Sequence, residues 1–227
     1  MPTYKIEGCT VADAAALACN NMSAFWTDAT WLLNWEDQPL EYIIAQCTKR
    51  MPTVLTTDRA HRRHQKVIDA ETGAVMGYAR WILPDRLTGE WLEAQTPAVS
   101  TIDEKAFMEL FSSATWISRS DVNNLGKPLQ VIMDRLMRGK EYLELDYLAV
   151  HPDYRGRGIA TMLVESGIAE SERMGVDVIV MAYKAAVGLY KRIGFDTLES
   201  LIQDTSKYGG ASEFGAYFMV RNVRRDP

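Results

Sequence analysis

Apolar residues in the first quarter of the chain recur at helical spacing in two places. Thr10 or Asp13 is a suitable N-cap for an alanine-rich helix that follows it. Apolar residues at positions 40, 43, 44 and 47 predict a second helix, because these positions share one face, and we expect Pro52 to end it. Residues 3–8 alternate loosely between apolar and polar and predict a first strand.

Two strand-like segments then flank a turn. Residues 65–69 and 74–83 are rich in strand-forming residues, and Gly73 between them favours an antiparallel hairpin. Residues 84–139 lack a strand pattern, but they contain two stretches with helical spacing, at 102–111 and after Pro128. Because no linker-like composition isolates this segment, we interpret residues 1–227 as a single domain with a helical insertion at about 84–139.

From residue 140 onwards, strand and helix patterns alternate. They predict a buried strand, a helix, a short strand and a second helix, at 142–150, 157–174, 176–181 and 185–193. Two strands joined through a helix in one sheet pair in parallel. The fold class that follows is α/β (α+β), with a mixed, partly parallel central sheet flanked by helices.

Composition and charge restrict the function. The chain has 227 residues, 47% of them hydrophobic, which suffices for a folded core, and no apolar run is long enough to span a membrane. The first residues lack the apolar run of a secretory signal, so we expect a cytoplasmic location. The net charge of -5 argues against a nucleic-acid partner and fits a cationic partner better.

The cysteines and histidines do not form a metal pattern. Cys9, Cys19 and Cys47 are odd in number and lack a CxxC motif, so we predict reduced, buried thiols. His61 and His64 enclose two arginines, with no third ligand type nearby. We interpret this run as a solvated basic stretch and expect no metal site.

A glycine-rich segment joins the strand at 142–150 to the following helix. Residues 155–160 read Arg-Gly-Arg-Gly-Ile-Ala. The first turn of a helix has unpaired N–H groups and partial positive charge, and glycines let an anion approach the backbone. The segment therefore predicts a pyrophosphate cradle, with a tight turn and two solvated arginines as the alternative. The spacing matches neither a P-loop nor a Rossmann fingerprint.

Residues 148–160 resemble the acetyl-CoA-binding motif of the GNAT acetyltransferase superfamily, Gln/Arg-x-x-Gly-x-Gly/Ala. Arg155, Gly158 and Ala160 occupy its three defined positions. Residues 186–195 resemble the Ala-x-x-Leu-Tyr-x-x-x-Gly-Phe segment of the same family. The chain departs from the pattern at Tyr183, where many members carry an asparagine that helps to hold the pantetheine arm or a water molecule.

The resemblance implies a GNAT-type fold, acetyl-CoA as co-substrate and direct transfer of an acetyl group to an amine. It assigns the CoA-binding core to about residues 142–196, where one strand would pair with pantetheine through its backbone. The implied cofactor-binding residues are Leu148, Ala149, Val150, Arg155, Gly156, Arg157, Gly158, Ile159, Ala160 and Ala186.

Direct attack needs a base, because a lysine-like amine has a pKa of about 10.4 and is not a nucleophile when protonated. Glu144 is the first candidate, since some family members place a glutamate base at the matching position. Asp146 is the second, two residues on and so on the same strand face. Either carboxylate could instead pair with a cation or face solvent. The resemblance further implies that Tyr190 protonates the leaving thiolate; a purely structural core tyrosine is the alternative.

The acceptor is less constrained by the sequence. An aromatic pocket could hold a cation, although core packing is the expected use of most tryptophans. The tryptophans are Trp26, Trp31, Trp35, Trp81, Trp91 and Trp116. The absence of a charged docking run favours a small-molecule amine over a protein lysine or N-terminus, and a non-catalytic acyl-CoA-binding module is a further alternative. The apolar C-terminal strand is compatible with a homodimer.

Overall fold

The computed structural model describes residues 3–35, 38–115, 119–122, 125–210 and 212–223. The strands are β1 (Tyr4–Gly8), β2 (Arg62–Asp69), β3 (Val75–Ile82), β4 (Tyr142–Val150), β5 (Asp177–Tyr183), β6 (Asp196–Gln203) and β7 (Phe214–Arg221). The α-helices are α1 (Ala14–Phe25), α2 (Ala29–Leu32), α3 (Leu40–Thr56), α4 (Thr101–Ser112), α5 (Lys127–Met137), α6 (Ile159–Met174) and α7 (Lys184–Arg192).

The strands form one seven-stranded sheet in the order β1-β2-β3-β4-β5-β7-β6. Strands β4 and β5 are parallel, as the strand–helix–strand pattern predicts, and the other neighbours are antiparallel. The predicted hairpin is confirmed as β2 and β3, and helices α4 and α5 lie within the predicted insertion. The predicted fold class is therefore confirmed: a mixed, partly parallel sheet flanked by helices.

Helices cover both faces of the sheet. Helices α6 and α7 lie on one face, over a core that includes Trp81, Leu143 and Leu163. Helix α6 approaches β3 closely at Gly167, where an added Cβ would lie 2.1 Å from the Trp81 ring. Helices α1, α3 and α5 cover the opposite face. Because both faces are covered, strands in the centre of the sheet have few solvent-facing positions.

Pro52 does not end α3, contrary to the sequence-based expectation; the helix continues to Thr56. A proline inside a helix removes one backbone hydrogen bond and costs about 3 kcal/mol. The residues on either side bury their side chains against α1, with Met51 4% and Leu55 0% exposed. This tertiary packing offsets the local cost, which the sequence pattern alone did not reveal.

Half of the basic stretch at 61–64 is buried, so the prediction of a solvated stretch was wrong for Arg63 and His64, whereas His61 and Arg62 remain partly exposed. Arg63 is 0% exposed and His64 is 1% exposed, because β2 is covered on both faces. The His64 Nδ1 atom lies 2.8 Å from the Tyr78 hydroxyl, and burial lowers the pKa of His64 to about 3. His64 is therefore neutral at physiological pH and packs as a core residue.

The buried guanidinium of Arg63 is satisfied entirely by backbone. It donates hydrogen bonds to the carbonyls of Arg59, Ala60, Arg62, Thr88 and Glu90. Two of these carbonyls belong to the segment after β3, and the others belong to β2 and the turn before it. Arg63 thus fastens the beginning of the insertion to the sheet.

The thiols differ from one another in environment. Cys9 and Cys47 are buried, as expected, whereas Cys19 is exposed. Among the described residues, no group of three or more histidine, cysteine or acidic side chains could hold a metal ion. In the same part of the chain, no helix is long and apolar enough to cross a membrane.

We expect Arg63→Met to lower the free energy of unfolding by about 2–4 kcal/mol, because several buried carbonyls lose their donor. Urea denaturation followed by tryptophan fluorescence measures the change. Arg138→Met is the control, since Arg138 is exposed where α5 ends, and it should change stability by less than about 0.5 kcal/mol. Equal stability of the two variants would contradict the role of Arg63.

Candidate functional site

Strands β4 and β5 pair along only part of their length. Their parallel register ends at Leu145 and Val180. Beyond that point, β4 remains paired with β3 as far as Val150, and β5 remains paired with β7 as far as Tyr183. The two strands therefore separate towards their carboxyl ends, which leaves a wedge-shaped opening in the sheet, here called the wedge.

A β-bulge in β4 lies where the pairing with β5 ends. The register with β3 moves from Trp81 opposite Leu145 to Arg80 opposite Tyr147, so Asp146 has no residue opposite it. A bulge bends its strand and increases the local twist. The bend directs β4 away from β5 and opens the wedge.

Beyond the bulge, alternate residues of β4 direct their backbone groups into the wedge. The N–H of His151 donates to the Met76 carbonyl, 3.1 Å away in β3. Backbone N–H and C=O groups of successive residues point alternately to the two edges of a strand. The backbone groups of Ala149 therefore also point to β3, whereas those of Leu148 and Val150 point into the wedge. Of the three predicted backbone contacts, Leu148 and Val150 have the orientation that a ligand in the wedge requires.

The loop after β4 has the shape of an anion cradle. Gly156 and Gly158 have φ angles of +74° and +80°, a region that favours glycine, and the space around a Cβ at either position is open. The first internal hydrogen bond of α6 runs from Met162 N to Gly158 O, 2.9 Å apart. The N–H groups of Ile159, Ala160 and the next residue therefore have no partner within the helix.

The two arginines of the cradle are exposed, and their side chains contact backbone carbonyls. The Arg155 guanidinium donates to the carbonyl of Ala24 in α1, and that of Arg157 donates to the Asp153 carbonyl at 3.0 Å. These contacts do not neutralise the charge of either guanidinium. The rim of the cradle therefore carries positive charge.

The two candidate bases have different environments. Glu144 lies at the closed end of the wedge, opposite Ile179 of β5. Burial raises the pKa of Glu144 to about 7, and the neighbouring Asp146 carboxylate adds to the rise. Asp146 itself forms an ion pair with Arg80. Glu144 can therefore exchange a proton near neutral pH, whereas Asp146 is held by a cation.

Tyr190 and Ala186 lie on α7, one helical turn apart. Tyr190 is 2% exposed, its ring is 5.3 Å from that of Phe195, and burial raises its pKa. The phenol is therefore protonated at neutral pH. Tyr190 belongs to a core cluster against which the partly buried Leu148, Val150 and Ala186 pack.

Asn20, which was not among the predicted site residues, is 1% exposed within α1. Its Oδ1 accepts from the His151 N–H at 3.0 Å, and its Nδ2 donates to the carbonyl of Ala149 at 3.4 Å and to Asn21 Oδ1 at 3.0 Å. The side chain therefore holds the end of β4 just before the cradle. One signal was present: Asn20 follows Leu17 by three residues, so an amide lies on the buried face of a helix.

A cavity of about 110 Å³ lies at the carboxyl end of β5, on the sheet face of α1 and α5. Its lining includes Asp28, Trp31, Leu129, Tyr183 and Phe214, and it is called the Asp28 cavity below. Asp28 and Tyr183 were not predicted as acceptor residues. A larger cavity of about 350 Å³ lies at the amino ends of β4 and β5, remote from the wedge.

The tryptophans differ in burial, and one of them, Trp31, lines the Asp28 cavity. Trp81 and Trp91 are buried in the core, as expected for most of them. Trp26, Trp31 and Trp35 are partly buried, and the Trp31 ring contacts both of the others. Trp116 lies outside the described residues.

The model of the acetyltransferase (GNAT) family matches residues 24–195. The chain belongs to this family. Among curated proteins, an uncharacterised N-acetyltransferase of Methanocaldococcus jannaschii is 34% identical over an alignment of 64 residues, with 26% of this GNAT chain covered. The chain matches 28% of the length of that relative.

The fold of this GNAT protein is similar to those of several solved acetyltransferases. A Drosophila melanogaster polyamine N-acetyltransferase has a TM-score of 0.59 at 14% identity, with 97% of this chain and 100% of that chain covered. A Corynebacterium glutamicum structure described as histone acetyltransferase HPA2 and related acetyltransferase has a TM-score of 0.58 at 20% identity, with 100% of this chain and 99% of that chain covered. A Thermoplasma acidophilum PaiA N-acetyltransferase, solved with coenzyme A, scores 0.53 at 10% identity, with 97% and 99% covered.

We expect Asn20→Ala to weaken the binding of acetyl-CoA by about tenfold, because the end of β4 loses the side chain that positions it. Titration calorimetry with acetyl-CoA measures the dissociation constant without requiring an acceptor. Asn21→Ala is the matched control: Asn21 is 3% exposed on the same helix, and it contacts β4 only through Asn20 in the hydrogen bonds seen here. Equal losses of affinity in both variants would argue against a positioning role for Asn20.

Proposed function

We propose that this GNAT protein transfers the acetyl group of acetyl-CoA to the amine of a small molecule by direct attack. The observation that carries the proposal is the wedge between β4 and β5, which leads from Glu144 at its closed end to the glycine cradle. One opening thus combines a free backbone edge, an anion cradle and a carboxyl group that titrates near neutral pH.

The residues present fit acetyl-CoA. The N–H and C=O groups of Leu148 and Val150 offer the pantetheine arm the hydrogen bonds of an added strand. The N–H groups of the first turn of α6 suit the pyrophosphate, since Gly156 and Gly158 leave the loop uncovered. Arg155 and Arg157 add positive charge, and Ala186 leaves room beside α7.

Glu144 is the proposed base, directly or through a water molecule. It takes one proton from the acceptor ammonium, and the free amine nitrogen then bonds to the thioester carbon. A backbone N–H of the free β4 edge stabilises the oxyanion. Asp146 is held by Arg80, and its carboxylate adds to the effect of burial, which is the main cause of the raised pKa of Glu144.

Tyr190 is the proposed acid. As the carbon–sulfur bond breaks, its phenol protonates the leaving thiolate, and the second proton of the attacking nitrogen restores the phenol. The products are an N-acetylated amine and free CoA, and the net proton leaves through Glu144.

The small acceptor is inferred from the volume of the Asp28 cavity, about 110 Å³, which suits a compact amine. A cytoplasmic location, the single-domain organisation, the absence of nucleic-acid and membrane partners, and a homodimer stay predictions.

The test is a thiol-release assay with acetyl-CoA and a panel of polyamines, arylamines, amino acids, aminosugars and lysine peptides. Release of CoA with a small amine supports the proposal and identifies the acceptor class. Release with peptides alone would favour a protein acetyltransferase. Binding of acetyl-CoA without any turnover would favour a non-catalytic binding module.

We expect Tyr190→Phe to lower kcat by about 10²-fold or more, because the thiolate then leaves unprotonated. The KM for acetyl-CoA should change little, since the ring and its packing against Phe195 are retained. Steady-state kinetics separate the two parameters. A kcat equal to that of the wild type would assign Tyr190 a purely structural role.

We expect kcat/KM for the acceptor to rise with pH through an apparent pKa of about 7, because Glu144 acts in its deprotonated form. Glu144→Gln should remove this transition and most of the activity. Folding disfavours the ionised form of Glu144. The contribution of Glu144 to the free energy of unfolding therefore decreases as the pH rises from the ordinary pKa of a glutamate to about 7. Thermal unfolding at pH 8 should therefore show Glu144→Gln to be at least as stable as the wild type, which excludes misfolding as the cause of lost activity.

A further inference from the structure

We propose that Arg80 is a positioning residue that holds the bulge of β4 in shape and counters the charge of Asp146 at Glu144. This inference rests on the proposed function, because it concerns the same wedge and the same proposed base. Arg80 acts through the bulge residues and not on the reacting atoms.

Arg80 is the residue of β3 that the bulge of β4 faces. The register passes from Trp81 opposite Leu145 to Arg80 opposite Tyr147, with Asp146 as the extra residue. In a β-bulge, two residues of one strand oppose a single residue of the partner strand. Position 80 is therefore the position of β3 from which one side chain can contact both bulge residues.

The side chain of Arg80 does contact both of them. Its Nε donates to a carboxylate oxygen of Asp146, and its guanidinium carbon lies 5.6 Å from the centroid of the Tyr147 ring. A planar guanidinium can pair with a carboxylate and lie over an aromatic ring at the same time, whereas the ammonium of a lysine is a single point of charge. Arg80 thus bridges the bulge at the place where β4 separates from β5.

Asp146 supplies the negative charge that pairs with Arg80. Three further titratable side chains near Arg80 are neutral at physiological pH. Burial lowers the pKa of His64, which lies opposite Arg80 in β2, to about 3, and burial raises the pKa of Tyr78 and of Tyr147. In the part of the chain that the structure describes, Asp146 is the one carboxylate that forms an ion pair with Arg80.

Charged groups from three elements act on Glu144. Burial is the main cause of its raised pKa; Asp146 of β4 and Asp134 of α5 raise this pKa further, and Arg80 of β3 lowers it. Strand β5 contributes the apolar Ile179 opposite Glu144. The two members of the ion pair therefore have opposite effects on one carboxyl group, so removing one charge or the other should move its pKa in opposite directions.

Two variants separate the charge of the pair from its shape. Asp146→Asn removes the negative charge and keeps an oxygen that can accept from Arg80, so the bulge stays held. We expect the pH midpoint of kcat/KM to fall by about 0.5 unit, a modest shift because both side chains are partly exposed. The affinity for acetyl-CoA should stay within about twofold of the wild type.

Arg80→Lys keeps the positive charge and loses the planar group. We expect the pH midpoint to stay in place and the affinity for acetyl-CoA to fall by about fivefold, because the bulge is no longer held at both residues. Arg80→Gln should raise the midpoint and weaken binding as well. The control is Arg173→Gln, which removes an arginine paired with Glu90 and Glu170 on the other face of the sheet and should change neither quantity.

Two measurements that need no turnover separate this inference from the proposed reaction. Carbon-13 NMR of the glutamate carboxyl groups, with the Glu144 signal assigned from Glu144→Gln, follows its titration, and calorimetry measures the binding of acetyl-CoA. The expected shifts without acetylation of any amine would support the role of Arg80, and the proposed function alone would fail. A Glu144 titration that is the same in Asp146→Asn as in the wild type, or an unchanged acetyl-CoA affinity in Arg80→Lys, would overturn the inference.

Discussion

The bulge at Asp146 is the constraint on which the site depends. A strand in the middle of a sheet normally has all its backbone groups paired, so it has none to offer a ligand. The bulge ends the pairing of β4 with β5 at Leu145 and leaves the groups of Leu148 and Val150 directed into an opening. The same interruption places Glu144 at the closed end of the wedge, where burial keeps its carboxyl group titratable near neutral pH.

Helix α1 connects the two halves of the site. Asn20 bonds to the end of β4, and the Ala24 carbonyl accepts from Arg155 of the cradle. The Phe25 ring at the end of the same helix is 6.2 Å from the Trp31 ring, which lines the Asp28 cavity. The element that borders the proposed acceptor site therefore also fixes the strand and loop proposed to hold CoA, so a shift of α1 would affect both.

Buried polar side chains recur at the positions that matter for this arrangement. Arg63, Asn20 and Glu144 occupy sites where an apolar residue would pack without desolvation cost. For Arg63 and Asn20 the cost is offset by hydrogen bonds to backbone groups from distant parts of the chain. For Glu144, the desolvation cost is offset less completely, and the pKa of its carboxyl group is raised as a result. Incomplete compensation is what gives this residue its proposed chemistry.

The sequence alone determined the elements from residue 142 onwards, the mixed sheet and the cradle, because strand and helix periodicity and positive-φ glycines such as Gly158 are local properties. It also indicated Glu144 and Tyr190 through motif spacing. Tertiary structure alone decided that α3 continues through Pro52, that Arg63 is buried, that Asn20 bonds to the end of β4, and that Asp28 lines a cavity. Each of these depends on contacts between residues far apart in the chain, and a pattern read along one segment does not contain them.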